Sequence, residues 1–306
     1  MTLRQLYYAL ISVGAIAKVE TAYGKLKRVM RDLREDGSVP WERLVDHTRS
    51  VFKARTWEGI EGLLADSARL YRRDLMRQQG VAVQLWAESD SIGSVIAQTA
   101  DRYTIPTFIG RGYSARGYLW AAARDAVAAH QAGKKVVILH VGDHDPSGED
   151  IFRDVEETLR LYALTIDWAA RVIFSGTSAG SVSEVRRSLE GEVRAYGGSL
   201  GEELRGWTRW LDVERLALTP EQVDEYSLPV RPPKSSDVRT AKFTGAGAVE
   251  VEALPVEALL GIVEDAILKR IDPEALRTAK VAEQSEREIA KRIAATPVAR
   301  LVEASA

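Results

Sequence analysis

The stretch that most constrains this chain is Lys135 to Asp150, KVVILHVGDHDPSGED. Val136, Val137, Ile138, Leu139 and Val141, broken only by His140, are too few for a membrane span. They have the composition of a strand covered on both faces, as in a parallel sheet. The strand ends at Gly142, and Asp143 and Asp145 follow two residues apart, ahead of Pro146, Gly148 and a helical pattern that begins near Glu149. Open α/β sheets place ligands at the carboxyl ends of such strands, and two carboxylates on a tight turn suit a hard cation such as Mg²⁺. An Asp-x-Asp pair alone is also ordinary loop composition. A second strand-end acid adds weight: Val81 to Ala87 is another short apolar run, it ends at Glu88, and a helix is expected from about Ser91.

The amino-terminal part has a different character. Leu3, Leu6, Tyr7, Leu10 and Ile11 follow a buried helical stripe, opened by a capping box between Thr2 and Gln5. Arg4 and Tyr8 lie one turn apart on a second face of that helix, so Tyr7 is expected in the core and the Tyr8 hydroxyl is expected free to meet something held by Arg4. A second helix, from about Thr21 to Glu35, crowds Lys25, Lys27, Arg28, Arg31 and Arg34 around an apolar stripe. With the short segment Ser38 to Leu44 it fits either a winged-helix DNA-binding unit or a small helical domain with a solvated basic face. Residues 1 to 80 hold 15 Lys and Arg against 10 Asp and Glu, whereas the remainder holds 27 against 34, so a basic front precedes an acidic body.

One acid after a first strand and Asp-x-Asp after a later one resembles the Toprim domain of topoisomerases, primases and some nucleases. The form GDHDPSG, together with Arg4, Tyr7 and Tyr8 in TLRQLYY, resembles the topoisomerase VI A subunit and the related meiotic break-forming transesterases. The short type of that family, which lacks the segment before the Arg-x-x-Tyr-Tyr motif, is the nearest likeness. The resemblance implies a Rossmann-like parallel sheet preceded by a small, mostly helical and trimmed winged-helix domain. It assigns Tyr8 as nucleophile, Arg4 as phosphate clamp, Glu88, Asp143 and Asp145 as Mg²⁺ ligands, and Glu88 also as the group exchanging a proton with the leaving oxygen. Double-stranded DNA as substrate, a homodimer in which Tyr8 of one subunit works with the metal site of the other, and a separate ATPase subunit of the B type are further implications. Two alternatives stay open: a Toprim nuclease in which activated water attacks and Tyr8 is structural, and a non-catalytic DNA-binding protein.

The expected organisation is a trimmed winged-helix domain at 1–55, a linking helix at 56–80, a Toprim core at 81–180, and at 181–306 an extension of that unit with a helical tail. Within the core, a short strand near Thr107 to Ile109 leads into GRGYSARG, where Arg111 and Arg116 either hold a DNA phosphate at a helix amino terminus or only make a sharp connection. Arg171 to Ser175, RVIFS, is expected to supply another buried strand. Arg72, Arg73 and Arg77 read as a solvated face, and the tail after Asp272 as a solvated or dimer-lining helix. Cysteine is absent, which excludes disulfides and thiolate metal sites and suits a reducing cytoplasm; the resemblance adds a prokaryotic or viral, nucleoid-associated setting. Neither a signal peptide nor a membrane-spanning run is found. The four histidines, His47, His130, His140 and His144, show no paired ligand spacing, and there is no Walker A pattern.

Overall fold

The computed structural model describes residues 3–17, 19–40, 43–44, 54–110, 116–175, 181–232, 243 and 247–296. Its centre is a four-stranded parallel sheet in the order β2-β1-β3-β4, built from β1 (Val81–Ala87), β2 (Thr107–Ile109), β3 (Lys135–Val141) and β4 (Leu211–Ala217). This is an α/β architecture compatible with a Rossmann-like fold. The strands β1 and β3 take the centre because they are apolar on both sides. Val81, Val83, Leu85 and Ala87 join Val137, Leu139 and Val141 in one core layer, whereas Trp86, Val136 and Ile138 enter the other. Full burial of each such side chain contributes about 1.5–3 kcal/mol.

Helices cover both faces. On one lie α5 (Arg116–Gln131) and α6 (Pro146–Ser175), packed on each other. On the other lie α4 (Asp90–Asp101) and α10 (Val256–Leu268), with α1 (Leu3–Ser12) and α2 (Glu20–Glu35) joined to the same core layer. Ser89 caps α4 by accepting from the Ile92 N–H at 3.4 Å. The remaining helices are α3 (Ile60–Leu70), α7 (Val182–Tyr196), α8 (Leu200–Trp207), α9 (Pro220–Glu225), the 3₁₀ turn Val251–Ala253 and α11 (Pro273–Ala295).

Several expectations need correcting. RVIFS is the end of α6, not a strand: between Gly148 and Gly176 nothing breaks the helix, and a short apolar run cannot by itself separate a strand from a buried helical turn. The sheet's remaining strand is β4, where acids and Arg215 alternate with apolar residues. The linking helix is shorter than 56–80, covering Ile60–Leu70. Beyond it, Arg72 and Arg73 are not simply solvated: Arg72 pairs with Asp101 and Glu283, and Arg73 with Glu286. They tie this segment to α11, which packs on α3 and buries Leu276 and Ala279 in the core. Among the described residues before β1 there are three helices and no strand. Thr2 of the expected capping box, and most of the segment around Trp41, lie outside the described residues. No described helix is long and apolar enough to cross a membrane.

Candidate active site

Glu88 follows β1 directly, and Asp143 follows β3 after Gly142, so the parallel pairing of Ala87 with Val141 sets the two acids side by side. The Asp143 N–H donates to Glu88 Oε2 at 3.1 Å. The glycines of the motif now have a physical reason. A Cβ on Gly142 would lie 2.6 Å from Glu88 Oε2, and one on Gly148 would lie 2.2 Å from the Asp143 carbonyl oxygen. A side chain at 142 would displace the Glu88 carboxylate, and one at 148 would push on the Asp143 backbone. Asp145 accepts from the Gly148 N–H at 2.7 Å and so caps α6, with Pro146 in the first turn.

Two further acids, which sequence reasoning did not select, come from a distant segment that reads as a short strand before a periodic helix at 249–267 and forms the 3₁₀ turn Val251–Ala253 ahead of α10. Val249 pairs with His144, and Ala248 with Arg231, as isolated antiparallel bridges. This lays Glu250 and Glu252 against the Asp143 turn, where the Val251 N–H donates to Asp143 Oδ1 at 2.8 Å. Arg4, Glu88, Asp143 and Glu252, with Ser89 and Asp90, line one cleft of about 340 Å³. The Ser91 hydroxyl donates to Glu252 at 2.6 Å. The legible signal was the alternation Val-Glu-Val-Glu at 249–252, which in extended chain sends both carboxylates the same way.

The helix α1 packs on the 3₁₀ turn at 251–253 and carries Arg4 and Tyr8 to the same place. Arg4 Nη2 donates to Glu250 Oε2 at 3.0 Å, and Arg4 Nε lies 3.9 Å from Glu252. The Tyr8 hydroxyl donates to Glu250 Oε2, and Arg231 Nη2 donates to Glu250 Oε1. Arg4 and Tyr8 therefore do share a partner, but the expectation of a free Tyr8 hydroxyl fails. Tyr8 is 4% exposed and belongs to the core with Tyr7, because Glu250 gives its hydroxyl an acceptor that makes burial affordable.

The electrostatics are uneven. Burial, together with the hydrogen bond to Glu250 and its charge, pushes the Tyr8 phenol well above its ordinary range. Burial also pushes Glu250 up, but the Tyr8 hydroxyl, Arg4 and Arg231 outweigh it and hold that carboxyl below the usual range. Asp143 stands well above the usual range through desolvation and the charges of Glu252 and Glu88. Glu88 is raised by burial, reinforced by Asp145 and opposed by the Asp143 N–H. Behind the turn, Arg215 of β4 donates to the Asp143 and Gly148 carbonyl oxygens, and burial lowers its pKa.

Other candidates lie apart from this cleft. Lys25, Lys27, Arg28 and Arg31 are exposed on α2, with Arg31 paired to Asp32 at 2.7 Å. Arg116 bonds Asp154 at 3.0 Å and Thr158 at 2.5 Å, tying α5 to α6. Arg111 lies outside the described residues. His144 is buried, its Nδ1 3.6 Å from Glu149.

Glu88, Asp143 and Asp145 are carboxylates, the hard oxygen donors that a divalent cation such as Mg²⁺ takes. Among the described residues no three such side chains already stand close enough together to hold an ion. Each has one oxygen engaged by a backbone N–H, of Asp143, Val251 and Gly148 respectively. Comparison with protein-family models, with curated proteins and with solved structures finds no match to this chain.

Proposed function

We propose that this chain is a Mg²⁺-dependent DNA-cleaving transesterase resembling the topoisomerase VI A subunit, acting on double-stranded DNA as a twofold dimer. The observation that carries the reading is the convergence of Arg4 with Glu88, Asp143 and Glu252 on one cleft, with the Tyr8 hydroxyl bonded to Glu250 beside it. In this structure Arg4 and Tyr8 meet the acids of their own chain, whereas the resemblance pairs Tyr8 with the metal site of the other subunit. On this reading α1 and α2 belong to a winged-helix unit whose basic α2 face holds DNA, and strand passage needs a separate ATPase subunit.

Glu88, Asp143 and Asp145 would hold Mg²⁺, which when bound withdraws charge from the phosphate. Arg4 orients the phosphate through its planar fork. The Tyr8 oxygen attacks phosphorus in line, and its proton passes to water. The bond from phosphorus to the 3′ oxygen breaks, and that oxygen takes up a proton, an exchange the resemblance assigns to Glu88. A phosphotyrosyl 5′ end and a free 3′ hydroxyl result, and the reverse steps reseal the strand.

The burial of Tyr8 favours a second reading, a metal nuclease in which water attacks and Tyr8 is structural. Supercoiled DNA incubated with the protein and Mg²⁺, then denatured without protease, separates the two. Label on 5′ ends that stays with the protein, and is lost at least 100-fold in Tyr8→Phe and in Asp143→Ala, is the expected result. Cleavage without adduct that survives Tyr8→Phe would establish the nuclease instead.

A further inference from the structure

Three side chains from two distant parts of the chain close on the Glu250 carboxylate: Arg4 and Tyr8 on Oε2, Arg231 on Oε1. The carboxylate side chain is 8% exposed, yet Arg4 and Arg231 remain 48% and 40% exposed. Two guanidiniums and a phenol hydroxyl gripping both oxygens of a planar anion, with the guanidiniums open to solvent, is the arrangement by which proteins hold a phosphodiester. The anion here is the protein's own. Glu252, 3.9 Å from Arg4 Nε, is the other acid facing the cluster, and Ser91 holds it separately.

From this geometry we infer that Arg4, Tyr8 and Arg231 form a phosphodiester-binding site in which Glu250 is a resident surrogate, displaced when a DNA phosphate enters. Arg231, which no motif selected, becomes the second arm of the phosphate clamp. The exchange replaces one anion by another on the same donors, so the cluster's charge is conserved and no cation is left bare. The inference rests on the proposed reading for the identity of the anion, DNA, but not for the existence of the site.

The test is binding without cutting: anisotropy of a labelled duplex oligonucleotide in EDTA, for wild type, Glu250→Gln, Arg231→Ala and the double variant. Removing the competing charge is expected to tighten binding about tenfold in Glu250→Gln, a gain the double variant loses, with a salt slope shallower by about one for Arg231→Ala. Glutamine keeps an acceptor for Tyr8, and circular dichroism melting checks that each variant folds. In parallel, inorganic phosphate is expected to raise the melting temperature of Glu250→Gln more than that of wild type or of the double variant. Unchanged or weaker duplex binding by a folded Glu250→Gln, together with equal phosphate stabilisation of all variants, would overturn the inference. Phosphate stabilisation confined to Glu250→Gln, with no duplex bound by any variant, would keep the site and refute DNA as its ligand.

Discussion

Glu156 and Asp143 are both acids withdrawn from water in the same α/β unit, and they are treated in opposite ways. Glu156, on α6, is 8% exposed and receives Arg160 Nε at 3.0 Å and Arg205 Nε and Nη2 at 2.9 and 2.8 Å. Burial drives its pKa up, but the two guanidiniums outweigh it and hold the group below the usual carboxylate range. Asp143 receives a backbone N–H and faces Glu252, Glu88 and Asp145, and it stands well above that range. The desolvation cost is met within the chain in one place and left unmet in the other. A paired acid of the first kind fastens α6 to α8 and β4; an unmet charge in a cleft is what an incoming cation would satisfy.

If that contrast is right, removing the compensated acid should do the most harm. Glu156→Ala leaves Arg160, only 7% exposed, without its countercharge, and about 3 kcal/mol of stability should be lost in denaturant titrations. A loss below about 1 kcal/mol would mean that the Thr208 and Leu211 oxygens that Arg160 also contacts suffice by themselves.

His140 sharpens the comparison as a buried base without compensation. Burial, with Arg215 adding to it, lowers its pKa to about 3, and its Nδ1 has no hydrogen-bond partner among the described residues. The unfolded chain takes up the proton near pH 6.5 and the folded one does not until about pH 3, so stability is complete above 6.5 and falls as pH drops below it. Between pH 6.5 and 5 the wild type should lose about 1.5 kcal/mol more than His140→Gln. Parallel pH profiles for the two proteins would show that the imidazole is protonated in place.

The smallest effect has the opposite sign. Asp143 has a raised folded pKa, so its penalty is absent near pH 4, grows as pH rises through the ordinary carboxylate value, and is complete above the folded one. Asp143→Asn keeps the acceptor for the Val251 N–H and should gain about 1 kcal/mol at pH 7.5, with no gain at pH 4. Mg²⁺ should raise the melting temperature of the wild type and not of the variant. A destabilised Asp143→Asn would show the charge to be satisfied after all, and would erase the contrast with Glu156.

Much of this architecture is legible from local pattern. The runs at Val81–Ala87, Thr107–Ile109 and Lys135–Val141 are strands, α2 lies within a residue of its expected start and end, and α4 begins within a residue of its expected start. Continuous apolar runs bounded by glycine or acid leave little choice of state. Local pattern failed where a short apolar run suits a strand and a helix alike, as at the end of α6, and where an edge strand tolerates charge, as in β4 with Asp212, Glu214 and Arg215. It also missed the partners of Tyr8.

The sequence by itself determined that Glu88 and Asp143 sit at strand ends, because strand termini are set by neighbouring residues, and that Arg4 and Tyr8 share a helix face. Only the tertiary structure decided what those residues meet. Glu250 and Arg231 reach the site through pairing between residues 144, 231, 248 and 249, contacts that join segments up to about a hundred residues apart and leave no local periodicity to read. Burial of Tyr8 follows from the same pairing, since the carboxylate that makes it tolerable arrives from the far end of the chain.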